Sequence, residues 1–196
     1  MRKFLLPALL AAAGFSMTAC GTSPPSSYYT LKTAEFEYAQ DDADSTVLGI
    51  GPIRVPEYLE RSQIVTRGED AELKLDDFNR WAEPVAESLH RILARNVDAI
   101  LDDVIVIGYP YGRLADYDFR LVGQIDRFDM DAAGTTRLSL IWGVTTADGK
   151  TLVSPRRRQY VEAGGNPGDP DAVAGAMSRC LEQFSREIAA AMRDVL

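Results

Sequence analysis

The stretch 118–163 reads DFRLVGQIDRFDMDAAGTTRLSLIWGVTTADGKTLVSPRRRQYVEA. Residues 118–131 and 135–146 are long β-prone runs joined around Gly134, and Asp148-Gly149 has the composition of a tight hairpin turn returning into 151–163. Three successive strands joined this way must lie antiparallel to their neighbours. Working outward, Asp171 to Leu196 switches to helical period, with Val173, Met177, Leu181, Phe184, Ile188, Ala191 and Val195 on one stripe. Trp81 to Leu101 repeats that pattern through Trp81, Val85, Leu89, Ile92, Leu93, Val97 and Ile100, with Pro84 suited to the first turn. Val104 to Ile107 is a short buried strand. Val47 to Val55 alternates with glycine, and 63–67 and 71–75 flank a Gly68-containing turn. Tyr28-Tyr29-Thr30-Leu31 opens the ordered part, and the acidic Glu35 to Ser45 reads as an exposed loop. The expected fold class is α+β: a largely antiparallel sheet with two amphipathic helices packed on one face, in a single domain spanning 28–196.

The chain has 196 residues, 46% of them hydrophobic, and a formal charge of −8. Arg2 and Lys3, an apolar stretch from Phe4 to Phe15 and the small residues that follow have the three parts of an export signal, residues 1–19. The apolar stretch carries Pro7 and Gly14 and is too short to span a bilayer. Removing 1–19 takes away two cations and no acid, so the remaining 177 residues carry −10. That charge excludes a nucleic-acid footprint, which rests on phosphate neutralisation, and excludes charge-driven binding to anionic lipid.

Met17-Thr18-Ala19-Cys20 resembles a bacterial lipobox, with Met17 in place of the usual Leu. Acylation of Cys20 would then attach the chain to a membrane, since each buried CH₂ contributes roughly 0.8 kcal/mol. Gly21, where an Asp favours inner-membrane retention, points to the outer membrane. Residues 20–27 form a short tether rich in Ser and Pro, holding the folded part at most roughly 27 Å from its anchor. Cys180, the second cysteine, sits in an apolar helical stripe and is expected to be a buried, inert thiol.

The usual catalytic constellations are missing. Gly49-Ile50-Gly51-Pro52 is glycine-rich but has neither a following helix nor a P-loop Lys-Ser/Thr. His90, the only histidine, falls mid-helix and not at the open edge a triad base needs. Asp126, Asp129 and Asp131 lack calcium-loop spacing and read as a solvated strand face. Asp116 and Asp118 are the remaining carboxylate pair a hydrolase could use, and paired acids are common on solvated surfaces. No cofactor and no metal site is expected, and no catalytic residue. Trp81 and Trp142 are expected in the core. Arg156-Arg157-Arg158 is the one basic cluster. On a strand, Arg156 and Arg158 share a face, available to an acidic partner or a phosphate headgroup, while Arg157 points the other way. A charged strand that blocks edge pairing, or that pairs with the many local acids, is the competing reading.

Cys20, Tyr28-Tyr29-Thr30-Leu31, the run from Gly49-Ile50-Gly51-Pro52 to Val55-Pro56-Glu57-Tyr58-Leu59, Arg61, Ile64-Val65-Thr66-Arg67 and Trp81-Ala82-Glu83-Pro84 together resemble the ABC-type transport auxiliary lipoproteins, the PqiC/YmbA-like family. Their order and spacing carry the resemblance, not any one of them. It implies a non-enzymatic, lipid-anchored outer-membrane protein facing the periplasm. It further implies service to an intermembrane lipid-transport system, docking the conduit of an MCE-domain protein anchored in the inner membrane and supporting envelope integrity. The subunits are expected to form a homo-oligomeric ring. A periplasmic module that itself carries one lipid is the alternative, and would need an enclosed apolar cavity.

Overall fold

The computed structural model describes residues 24–35, 46–102, 104–111 and 116–196. The export signal at 1–19, the first half of the tether (20–23, with Cys20) and all but Glu35 of the acidic loop lie outside the described residues.

In chain order the elements are β1 (Ser27–Tyr29), β2 (Thr46–Arg54), a 3-10 turn (Glu57–Leu59), β3 (Gln63–Arg67), β4 (Leu73–Trp81) and α1 (Val85–Asp98). They continue with β5 (Val104–Gly108), β6 (Phe119–Met130), β7 (Thr136–Thr146), β8 (Thr151–Glu162) and α2 (Pro170–Arg193). The fold is α+β. Its main sheet runs β5-β2-β6-β7-β8, and β6, β7 and β8 form the antiparallel meander that the turns at Gly134 and Gly149 dictate. Both glycines have positive φ, 75° and 88°, a region that costs an L side chain energy.

Two features differ from the sequence expectation. First, β2 lies parallel to both of its neighbours, β5 and β6, so the main sheet is mixed. Second, β3 and β4 do not join it: they form a separate three-stranded sheet in the order β1-β4-β3, with β1 parallel to β4. Trp81 is the last residue of β4 and not a helical position, although it is buried as expected. Pro84 ends that connection and caps α1, supplying no side-chain acceptor. α2 is better capped: Asp169 accepts hydrogen bonds from the Asp171 and Ala172 amides, and Pro170 occupies the first turn.

The helices lie side by side on one face of the main sheet, α1 over β2 and β5, α2 over β6, β7 and β8. Alternate residues on the strands point at them: Leu121, Ile125 and Phe128 on β6, Leu138, Leu140, Trp142 and Val144 on β7. Phe184 of α2 sits between Trp142 and Tyr160, with ring centroids 5.5 and 5.6 Å away. Each large side chain sequestered this way contributes roughly 1.5–3 kcal/mol. No helix among the described residues is long and apolar enough to cross a membrane.

Candidate functional surface

The opposite face of the main sheet carries the other set of alternate residues. At one end it is covered by the 3-10 turn and β3. There Asp129, on β6, is fully buried, which corrects its assignment to a solvated strand face. Arg67 of β3 holds it through Nε (3.2 Å) and Nη2 (2.9 Å), Arg127 through Nε (2.9 Å), and the Tyr58 hydroxyl donates to it at 2.9 Å. The same Tyr58 oxygen accepts the Phe128 amide at 2.9 Å. Burial, with Asp129 beside it, pushes the Tyr58 phenol well above its ordinary range. The cluster fastens the small sheet onto the large one. Asp131 and Asp126 are paired too, with Arg137 and with Arg157.

The other residues singled out in the sequence also have structural occupations. The Ile53 amide donates to His90 Nε2 at 2.9 Å, which places the ring proton on Nδ1. Burial lowers the pKa of His90, so the imidazole is neutral. The Gly49–Pro52 segment owes its glycines to close neighbours: a Cβ at Gly49 would lie 2.8 Å from the Tyr111 ring, and one at Gly51 2.8 Å from His90. The Tyr111 hydroxyl donates to the Gly51 carbonyl. Cys180 is fully buried and its thiol pKa is pushed up to about 12 by that burial, far from the thiolate a nucleophile needs. Asp118 accepts the Val47 amide at 2.8 Å and tethers the start of β2, while Asp116 is exposed.

Arg156 and Arg158 face the helix side and Arg157 the other, as the alternation predicts. Arg158 pairs with Glu187 of α2 at 2.7 Å, and Glu187 also accepts from the Tyr160 hydroxyl at 2.8 Å. The Arg156 guanidinium lies 5.3 Å from the Trp142 ring centroid. Local partners thus occupy both, and both keep part of their surface exposed.

Beyond the Asp129 cluster, the open sheet face forms a groove of about 400 Å³. Val122 and Ile141 form its floor, Pro52 and Pro155 its two rims, and Arg54 and Gln124 its polar end. Sequence reasoning missed it. The signal was available: Val122 and Ile141 fall on the strand parity opposite to the core residues.

The family model for the ABC-type transport auxiliary lipoprotein component matches residues 29–189. The chain belongs to that family. A crystal structure of an uncharacterized protein superimposes on this auxiliary lipoprotein with a TM-score of 0.70, at 21% identity over 86% of this chain and 99% of the other. A Xanthomonas campestris protein of the family DUF330 does so with a TM-score of 0.66, at 18% identity over 86% of this chain and 98% of the other. At these identities the likeness shows the fold. No curated protein matches the sequence significantly.

Proposed function

We propose that this auxiliary lipoprotein is a non-enzymatic outer-membrane subunit of an MCE-type intermembrane lipid-transport system, docking the periplasm-spanning conduit. The observation that carries the reading is the family match across residues 29–189. The chemistry of the interior supports it. His90, Tyr58 and Asp129 are each committed to a structural contact and Cys180 is buried, which supports structural over reactive roles for them. In this reading residues 1–19 direct export, acylated Cys20 holds the chain on the outer membrane, 20–27 is the tether, and 28–196 is one auxiliary-lipoprotein domain. Identical subunits form a ring around the end of the conduit. Arg156 and Arg158 are the contacts for an acidic partner or a headgroup. The groove on the main sheet is an open saddle, unlike the enclosed cavity a lipid carrier needs.

The test is purification from membranes after labelling with palmitate. Label on the wild type but not on Cys20→Ser, fractionation with the outer membrane, and co-purification of an MCE-domain protein support the reading. A strictly monomeric protein that brings down no MCE-domain protein overturns it.

A further inference from the structure

The saddle has a physical origin. The register of β2 against β6 shifts between Ile50 and Ile53, and that of β8 against β7 shifts around Trp142 and Val144. Such irregularities bend and twist a strand. They occur on either side of the β6–β7 pair, and they place Pro52 on one rim and Pro155 on the other, both exposed. Between the rims, Val122 and Ile141 are only half-buried, so the floor remains partly open to solvent.

Arg54 stands at the polar end. Its cross-strand neighbour is Gln124, on the same face. The nearby carboxylate of Asp126 is held by Arg157 at 2.7 Å. No ion pair or side-chain hydrogen bond is made by Arg54 among the described residues, in a chain with eight more acids than bases. An exposed, unmatched cation beside an apolar saddle complements an apolar group with a carboxylate close by.

We propose that this groove seats an extended peptide segment of a protein partner, with an aliphatic side chain over Val122 and Ile141 and an acidic side chain on Arg54. A peptide fits better than a lipid. The saddle covers one side of an occupant only, so a lone acyl chain would leave its other side in water, whereas a protein partner covers its own segment from above. The proposal rests on the docking reading above and names where and what it docks.

The test uses the full-length protein purified from membranes in nanodiscs of zwitterionic lipid, with methyl-labelled Val and Ile. Two capped peptides, Ac-Ser-Glu-Ile-Val-Ile-Ser-NH₂ and its Lys-for-Glu counterpart, are titrated by NMR. The acidic peptide is expected to shift the Val122 and Ile141 methyls with a Kd of about 0.1–1 mM, and the Lys peptide to bind at least about fivefold more weakly. Arg54→Glu, at an exposed site, is expected to invert that order. Equal response to both peptides, or none, overturns the proposal. So do contacts from these methyls to nanodisc acyl chains before peptide is added, which assign the groove to lipid, and shifts that follow protein concentration alone, which assign it to a second copy. Co-purification separates the two readings. An MCE-domain protein retained equally by wild type and Arg54→Glu overturns the groove assignment and leaves docking standing. Its absence from the wild type counts against docking, while the titration still decides the groove.

Discussion

Replacing Asp129 by Asn keeps the shape of the side chain and removes its charge. Arg67 and Arg127 are then left facing a neutral amide whose NH₂ group is itself a donor. Removing one partner of a buried ion pair costs about 3–5 kcal/mol. The Arg67 and Arg127 side chains are 25% and 27% exposed and can recover some hydration, which sets the expectation at the lower end, about 3 kcal/mol. Urea denaturation at pH 7.5 reads this directly. With a slope of about 2 kcal/mol per M, the midpoint falls by about 1.5 M, and the thermal midpoint by about 6–12 °C. Asp126→Asn, at the exposed pair with Arg157, is the control and is expected to change stability by less than about 0.5 kcal/mol. A double-mutant cycle of Asp129 with Arg67 then isolates their coupling. The reasoning is refuted if Asp129→Asn costs less than about 1 kcal/mol, or no more than the Asp126 control.

Three further outcomes follow from the same contacts. His90 is neutral in the folded protein, with its pKa below the unfolded value, so its contribution is complete above about pH 6.5 and is lost as pH falls. Unfolding free energies from urea titrations between pH 7.5 and 5.5 are expected to drop, by at most about 1.4 kcal/mol per pH unit from this group, and more steeply than in His90→Gln; equal slopes would contradict the assignment. Gly134→Ala is expected to cost more than about 2 kcal/mol, since its Cβ would lie 1.9 Å from the Gly165 carbonyl oxygen. Gly149→Ala, with positive φ but open space, is expected to cost only about 1 kcal/mol. Asp169→Ala removes the acceptor at the start of α2 and is expected to cost about 1 kcal/mol in thermal unfolding, with Asp169→Ser nearly neutral.

The meander and both helices were legible because their signals are local. Gly134 and Asp148-Gly149 punctuate long alternating runs, and the stripes of α1 and α2 repeat every three or four residues. Trp81 was drawn into the helix because it happens to fall on that period, although the chain turns only at Pro84. The parallel pairing of β2 left no trace, since side chains alternate identically beside parallel and antiparallel neighbours. Asp129 was misread for a related reason: Arg127 is close in sequence, but Arg67 and Tyr58, which cover the carboxylate, are 62 and 71 residues away. The groove was hidden because Val122 and Ile141 look like core residues until the strand parity is fixed by Leu121 and Leu140.

The place of β2 between two parallel neighbours also bears on the order in which the molecule is expected to assemble. Its register pairs Leu48 with Val106 and with Phe119, so both of its edges stay open until those distant strands arrive. The meander of β6 to β8, closed by short turns, needs no such wait, and α2 follows it directly in the chain. Local contacts of that kind form early, whereas closing a long loop is slow. The C-terminal half is therefore expected to be the nucleus, with the N-terminal strands the last to dock. If residues 1–19 direct export as proposed, the chain crosses a membrane N-terminus first, presenting these strands earliest and keeping them unpaired longest. Its vulnerability to aggregation would then peak in transit, at the segment from Thr46 to Arg54, before any finished surface exists.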